Sequence, residues 1–278
     1  MVFVRLVAVF FIGILHCSMF LSAFGGAPKA LVVGASTGIG REVAKELAAH
    51  GYEIGLCSRK TDLLEALQQE LPTRSWVRYL DLMQTETIHE TLQQLVVDMG
   101  GMDLIVVNSG IWPEAAVGIM PENKYIPFSP LQETIQVNVL GCTAAFNFAT
   151  NYFLQQGAGH IVGISSLDAV HGTAVGPAYS ASKAFMGTFL EGMRSKFAQA
   201  GITTIAVTEI RPGCIQTKDA TMDENLTYWV VPACVAARDI YASIVAKDKV
   251  AYVPRRWALI ALALRLTPDW LYNWMGGF

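Results

Sequence analysis

Tyr179 and Lys183 stand four residues apart in the run Tyr-Ser-Ala-Ser-Lys. On a helix that spacing puts both side chains on one face. A free phenol titrates near pH 10. A cation one turn away favours the phenolate and draws that value down. A tyrosine so placed can exchange a proton with a substrate oxygen near neutral pH. Ser166 lies thirteen residues before Tyr179, and its hydroxyl would position that oxygen with a hydrogen bond. Asp168 and His171 fall between the two and suggest a Ser-His-Asp hydrolase. Such an enzyme wants its serine on a G-x-S-x-G elbow. Here the run is Gly163-Ile-Ser-Ser166-Leu, without the second glycine, so His171 reads as a loop or substrate-pocket residue.

A second constellation sits near the start of the chain, in Gly34-Ala-Ser36-Thr37-Gly38-Ile39-Gly40. Glycines let a backbone turn sharply and approach a pyrophosphate without a β-carbon in the way. A helix opening at such a turn offers free N–H groups and positive dipole to phosphates. The spacing is G-x-x-x-G-x-G, which alone is weak evidence; its place at the first strand–helix junction strengthens it. The next strand ends in Ser58-Arg59-Lys60, where an acid would bind the ribose hydroxyl of NAD. No acid is present, so Ser58 and Arg59 would hold a 2′-phosphate, favouring NADP(H) over NAD(H). Asp81, beside Leu82, would accept from the adenine amino group or else cap a helix. Asn108, Ser109 and Gly110 follow the fourth strand, at the sheet edge where such folds bind ligands.

These residues need strands and helices in alternation, and the chain supplies them. Apolar runs at 30–33, 52–57, 76–80, 103–107, 160–164 and 202–208 read as buried strands. Helical periodicity fills 38–50, 61–71, 84–99, 131–156, 178–200 and 233–246, and a short strand follows at 250–253. The pattern predicts an α/β fold with a doubly wound parallel sheet. It predicts one domain over 28–255, with a segment 1–27 before it and a tail 256–278 after it.

Taken together, these motifs resemble the short-chain dehydrogenase/reductase family over about residues 29–254. The resemblance rests on Gly34, Gly38 and Gly40, on Asn108-x-Gly110, Asn138, Ser166, Tyr179 with Lys183, and on Pro212-Gly213 with Thr217. It implies a single-domain Rossmann-like fold and a hydride transfer between a nicotinamide cofactor and an alcohol or carbonyl substrate. It further implies that Asn138 holds a water in a proton relay to Lys183, and that Lys183 also binds the nicotinamide ribose. Pro212, Gly213, Ile215 and Thr217 would contact the nicotinamide and its phosphates. Two positions depart from the usual pattern: Val33 precedes the first glycine, and Val107-Asn108-Ser109-Gly110 replaces Asn-Asn-Ala-Gly.

Composition sets the outer bounds. The chain has 278 residues, 53% of them apolar, and a net charge of −3. It has no Lys/Arg-rich block, so nothing suggests a nucleic-acid partner. The five cysteines have no C-x-x-C spacing, which supports neither a metal site nor a disulfide framework. Leu6 to Phe24 carries no charged residue and reads as a membrane anchor on the cytoplasmic side, a cleaved signal, or an extension. The tail surrounds an apolar run, 258–264, with Arg255, Arg256, Arg265, Trp257, Trp270 and Trp274. It reads either as a membrane-interface helix or as a helix packed on the domain or on a twin subunit. Ile111, Trp112, Met222, Leu226, Tyr228 and Trp229 suggest an apolar alcohol or ketone as substrate. The resemblance also implies a homo-oligomer. Two other readings compete: a non-catalytic NADP(H)-binding regulator, and a membrane-associated scaffold.

Overall fold

A computed structural model describes residues 26–112, 127–174, 176–217 and 228–274. The segment 6–24 and the residues Met222 and Leu226 lie outside them.

The chain opens with β1 (Lys29–Val33), α1 (Gly38–Ala49), β2 (Glu53–Ser58), α2 (Thr61–Glu70), β3 (Ser75–Tyr79), α3 (Thr85–Met99) and β4 (Leu104–Val107). It continues with α4 (Phe128–Ile135), a π-helical turn (Gln136–Gly141), α5 (Cys142–Gln156) and β5 (Gly159–Ile164). A 3-10 turn (Leu167–Ala169), α6 (Pro177–Gln199) and β6 (Ile205–Pro212) follow. After the short strands β7 (Ile215–Gln216) and β8 (Val231–Pro232) come α7 (Ala233–Ala246), β9 (Val250–Val253), α8 (Trp257–Leu266) and α9 (Asp269–Trp274).

Seven strands form one sheet in the order β3-β2-β1-β4-β5-β6-β9, and every pairing in it is parallel. This is the doubly wound α/β sheet that the alternation predicts. The period of two along β1 separates the two cores. Leu31 and Val33 face the layer built with Leu92 and Leu95 of α3, Phe146 and Phe153 of α5, and Met186 and Leu190 of α6. Ala30 and Val32 face the other layer, with Val43 and Leu47 of α1, Leu64 and Leu67 of α2, and Ile240 and Ile244 of α7. Each such buried Leu, Ile or Phe stabilises the fold by about 1.5–3 kcal/mol.

The structure corrects two expected elements. The single long helix over 131–156 is two α-helices joined by a π turn at Gln136–Gly141, which contains Asn138. Gly141 lies against the backbone after β3: a β-carbon there would sit 2.4 Å from the Leu82 carbonyl oxygen. The sixth strand does not end at Thr208 but runs on to Pro212 through Glu209 and Arg211. Those two charges break the apolar run, yet both are buried, because they pair with each other.

The tail folds back on the domain. Trp257, Ala261 and Tyr272 face inward, and Tyr272 is buried. Leu259, Leu262, Leu266, Trp270 and Trp274 are exposed. No helix among the described residues is long and apolar enough to cross a membrane.

Candidate active site

The glycine turn between β1 and α1 is held by close backbone approaches. Gly34 and Gly38 adopt φ of 86° and 57°, a region that β-carbons disfavour. Gly40 meets the turn from below: a β-carbon there would lie 2.1 Å from the Gly34 carbonyl oxygen. Asn108 Nδ2 donates to that same oxygen at 3.0 Å, which ties the end of β4 to the turn. Thr217 reaches the turn from the other side, its methyl 3.0 Å from where a Gly38 β-carbon would be.

A cleft of about 300 Å³ opens over this turn. Gly34, Ser36, Thr37, Ser58, Arg59, Asp81, Leu82, Asn108, Ser109 and Gly110 line it, all of them expected from sequence. Lys60, Leu80 and Val137 also line it and were not expected, and Ile111, expected beside the substrate, lines it too. Lys60 adds a second cation beside Arg59, and its adjacency to the end of β2 was the signal for it. Ile39 and Gly40 are not among the lining residues. Gly40 serves the packing of α1. Asp81 combines both of its expected roles, since it lines the cleft and its Oδ1 accepts from the Met83 N–H at 3.1 Å. Pro212, Gly213 and Ile215 lie beyond the cleft at the carboxyl end of β6. A Gly213 β-carbon would collide with the Trp257 indole at 2.4 Å, so the tail covers this point.

The second half of the site is built from side chains. β5 ends at Ile164, and Ser166 caps the 3-10 turn after it, accepting from the Asp168 N–H at 3.1 Å. Tyr179 and Lys183 lie on the first turns of α6, where Pro177 supplies a favourable first residue. The Ser166 hydroxyl favours the ionised form of the Tyr179 phenol. The Trp112 ring stacks on the Tyr179 ring with centroids 5.1 Å apart. Lys183 is buried, donates to the Ile164 carbonyl at 3.0 Å, and has its Nζ 5.7 Å from the centre of the Tyr179 ring. Gly110 makes room for this amine, since a β-carbon there would stand 2.9 Å from Nζ.

Asn138 is fully buried in the π turn. Its Oδ1 accepts from the Ile111 N–H at 2.8 Å, and its Nδ2 donates to the Ile111 carbonyl at 2.9 Å and to Ser182 Oγ at 3.1 Å. Ser182 in turn donates to the Tyr179 carbonyl at 2.7 Å. Asn138 thus clamps the loop after β4 to the helix bearing Tyr179. Ser182, inside the Tyr-Ser-Ala-Ser-Lys run, was missed because its role needs the contact across to Asn138.

Among the protein's own groups, the balance at the Tyr179 phenol lies above its ordinary value. Burial, followed by the nearby Asp168 carboxylate, pushes it up to about 12 against the opposing pull of the Ser166 hydroxyl. Burial also lowers Lys183. Asp168, whose Oδ2 lies 3.3 Å from Ser166 Oγ, is raised by burial, with the Ser166 bond and Lys183 opposing. The hydrolase triad does not assemble, since the His171 ring packs on Tyr272 of α9 at 3.8 Å.

Beneath this half lies a buried ion pair. Arg211 Nε and Nη2 donate to the two carboxylate oxygens of Glu209 at 2.7 and 2.9 Å. Ser165 Oγ donates to Glu209 at 2.8 Å, and Arg211 Nη1 to the Tyr252 hydroxyl at 3.0 Å. Among the described residues the four cysteines are free, and no cluster of metal-binding side chains occurs.

Comparison with known proteins agrees with this arrangement. The short chain dehydrogenase family matches residues 28–228. An uncharacterized oxidoreductase of Mycobacterium tuberculosis is 33% identical over 81% of this chain and 88% of its own length. An uncharacterized oxidoreductase of Myxococcus xanthus is 34% identical over 68% of this chain and 72% of its own. Among solved structures, a short chain dehydrogenase/reductase from Burkholderia phymatum in complex with NAD superposes with a TM-score of 0.74. It covers 87% of this chain and 92% of that one, at 18% identity. The alcohol dehydrogenase of the archaeon Thermococcus sibiricus, complexed with 5-hydroxy-NADP, gives a TM-score of 0.68 at 21% identity, covering 81% and 95%. On the family match, on these relatives and on the fold, the chain belongs to the short-chain dehydrogenase family.

Proposed function

We propose that the protein is an NADP(H)-dependent oxidoreductase that interconverts an alcohol with a ketone or aldehyde. The observation that carries this reading is the buried Lys183 amine, 5.7 Å from the centre of the Tyr179 ring and set against Gly110, which lines the glycine-turn cleft.

The residues present fit a dinucleotide. The glycines leave the backbone of the turn open to phosphates, and α1 directs its amino end there. Arg59 and Lys60 line the cleft at the end of β2, where no acid competes for a ribose hydroxyl. That pair of cations is the ground for preferring NADP(H), since a 2′-phosphate adds charge for them to meet. Solved neighbours carry either NAD or an NADP derivative. When bound, the nicotinamide supplies the hydride in reduction and receives it in oxidation.

The chain's own groups supply the proton and the geometry. In reduction, Tyr179 gives its phenolic proton to the carbonyl oxygen as the hydride reaches the carbonyl carbon, and Ser166 donates a hydrogen bond to the same oxygen. Lys183 stabilises the phenolate left behind. Asn138 acts on the step through position, holding Ile111 and Ser182 so that the cleft wall and α6 keep their spacing. The substrate lies against Trp112, Tyr228 and Trp229, which favours an apolar body around the reacting carbon.

A panel of ketones and aldehydes, followed through loss of NADPH absorbance, tests the reading. Tyr179→Phe is expected to lower kcat by about 10²–10⁴-fold while leaving NADPH binding near the wild-type value. Turnover that survives in that variant would sink the assignment of the acid.

A further inference from the structure

α8 and α9 are apolar on both sides. In α8, Ala261 is buried, while Leu259, Leu262 and Leu266 are 73, 56 and 74% exposed. Those three leucines recur at the spacing of one helix face. In α9, Tyr272 is buried, while Trp270 and Trp274, four residues apart, are 71 and 80% exposed. A helix on the surface of a globular domain ordinarily turns charged and polar groups outward. This pair turns leucine and tryptophan outward instead. Trp274, Leu266, Leu259 and Trp270 are the most exposed large apolar side chains among the described residues.

The charges of the region name an occupant for that face. From Val250 to Phe278 the sequence holds three arginines and one acid, Asp269, in a chain whose net charge is −3. Arg255 stands exposed before α8, and Arg265 stands exposed in its last turn. An apolar stripe with arginine at its ends and tryptophan beside it matches an anionic bilayer surface. Leucines and indoles enter at the boundary of headgroups and acyl chains, and guanidinium groups meet the phosphates. A second copy docking tail to tail would set the same arginines against each other. The chain's own apolar segment 6–24 carries no acid to meet them. The ten residues of α8 make a rod of about 15 Å. That is half of a ~30 Å hydrocarbon core, so α8 can lie in such a surface but not cross it.

The inner side of the same tail grips the catalytic half. Trp257 Nε1 donates to the Trp229 carbonyl at 3.2 Å. Arg256 Nη2 donates to the Tyr228 carbonyl at 2.6 Å, with its guanidinium 4.8 Å from the centre of the Tyr228 ring. Trp257 also lies against Gly213, after β6. Tyr272 packs on His171, in the loop between Ser166 and Tyr179. Whatever holds the outer side of the tail thus stands next to the loops that border the substrate.

We propose that α8 and α9 form a docking surface for an anionic lipid bilayer, which seats the substrate side of the site against the membrane. The substrate is then an apolar carbonyl or alcohol dissolved in the bilayer. That consequence rests on the oxidoreductase reading above; the docking does not.

The test uses the full-length protein and vesicles of phosphatidylcholine with brominated acyl chains, with or without phosphatidylglycerol. Bromine quenches an indole only at close range. The emission lost by the wild type but not by Trp270→Phe/Trp274→Phe therefore reports these two rings, whatever else touches the vesicle. The wild type is expected to sediment with anionic vesicles and to lose the emission of both rings. Leu259→Ser/Leu262→Ser/Leu266→Ser, at exposed positions and with an unchanged melting temperature, should restore that emission. Arg255→Gln/Arg265→Gln should raise the anionic lipid needed for half-quenching about tenfold or more, towards the neutral-vesicle value. Protein left in the supernatant, or rings unquenched on sedimented protein, overturns the assignment. So does equal quenching on neutral and anionic vesicles. A dimer that the leucine variant dissociates gives the face to a second copy and overturns it too. A carbonyl held in the vesicles should show a higher KM with the leucine variant, while a water-soluble one keeps its KM. Quenched rings without turnover of any carbonyl support the docking and count against the oxidoreductase reading instead.

Discussion

The two halves of the site are made from different materials. Around the β1–α1 turn the contacts are backbone to backbone, and what matters is the absence of atoms: Gly34, Gly38 and Gly40 each stand where a side chain would collide or strain. Around Ser166 the contacts are between side chains, and what matters is the presence of atoms: Asp168, Tyr179, Lys183 and the Glu209–Arg211 pair below them. A single added carbon should break the first half, and a single removed charge the second. The cofactor half tolerates no growth because a carbonyl oxygen cannot swing aside. The substrate half tolerates little loss because its charges are out of water and depend on one another.

Three substitutions sharpen that contrast, taken from the largest effect down. Glu209→Gln removes the anion but not its buried partner, and Arg211 then stays desolvated without a counter-charge. Breaking a buried pair this way costs about 3–5 kcal/mol, so chemical denaturation should show a midpoint well below the wild-type one. An unchanged midpoint would place the strength of this half elsewhere.

Gly40→Ala puts a carbon 2.1 Å from the Gly34 carbonyl, so α1 must shift. Overpacking of that kind costs about 1–3 kcal/mol and at times more. Much of it should appear as weaker NADPH binding, about 10- to 100-fold by fluorescence titration, because the displaced turn is the binding surface. Equal NADPH affinity in the variant would show that the turn adapts.

Arg59→Asp changes neither packing nor fold, since the side chain is exposed. It should cut the preference for NADPH over NADH by about tenfold or more, a difference of roughly 1.4 kcal/mol. Parallel losses for the two cofactors would remove Arg59 from the 2′-phosphate site.

The contrast also explains what could be read from the chain beforehand. A turn made of absent side chains leaves its mark as glycines at fixed places, so the cleft lining from Gly34 to Gly110 was legible almost residue by residue. The Tyr179–Lys183 pair was legible because helical spacing alone puts them together. Asp168 was not, since its importance comes from folding back on Ser166 beside a helix that begins nine residues later. Glu209 and Arg211 fell outside the strand expected over 202–208, because charge usually marks a surface and a pair two residues apart gives no sign that both are buried. The π turn escaped for a similar reason. One extra residue in a long apolar stretch leaves the composition unchanged and only shifts its phase.

That phase has a consequence of its own. A π turn amounts to one residue inserted into an α-helix, and each residue advances an α-helix by about 100°. The turn at Gln136–Gly141 therefore acts as a fixed rotation between two rigid rods. α4 keeps the orientation that packs it on α6, while α5 is turned so that Phe146, Ala149 and Phe153 meet the sheet. Without the extra residue, one of those faces would have to point away from its partner. Asn138 sits at the coupling, so the angle that seats α5 on the core also sets where the loop after β4 meets the tyrosine-bearing helix. The length of this turn is in that sense a gear setting between core and active site, and a change of a single residue in it would be felt at both.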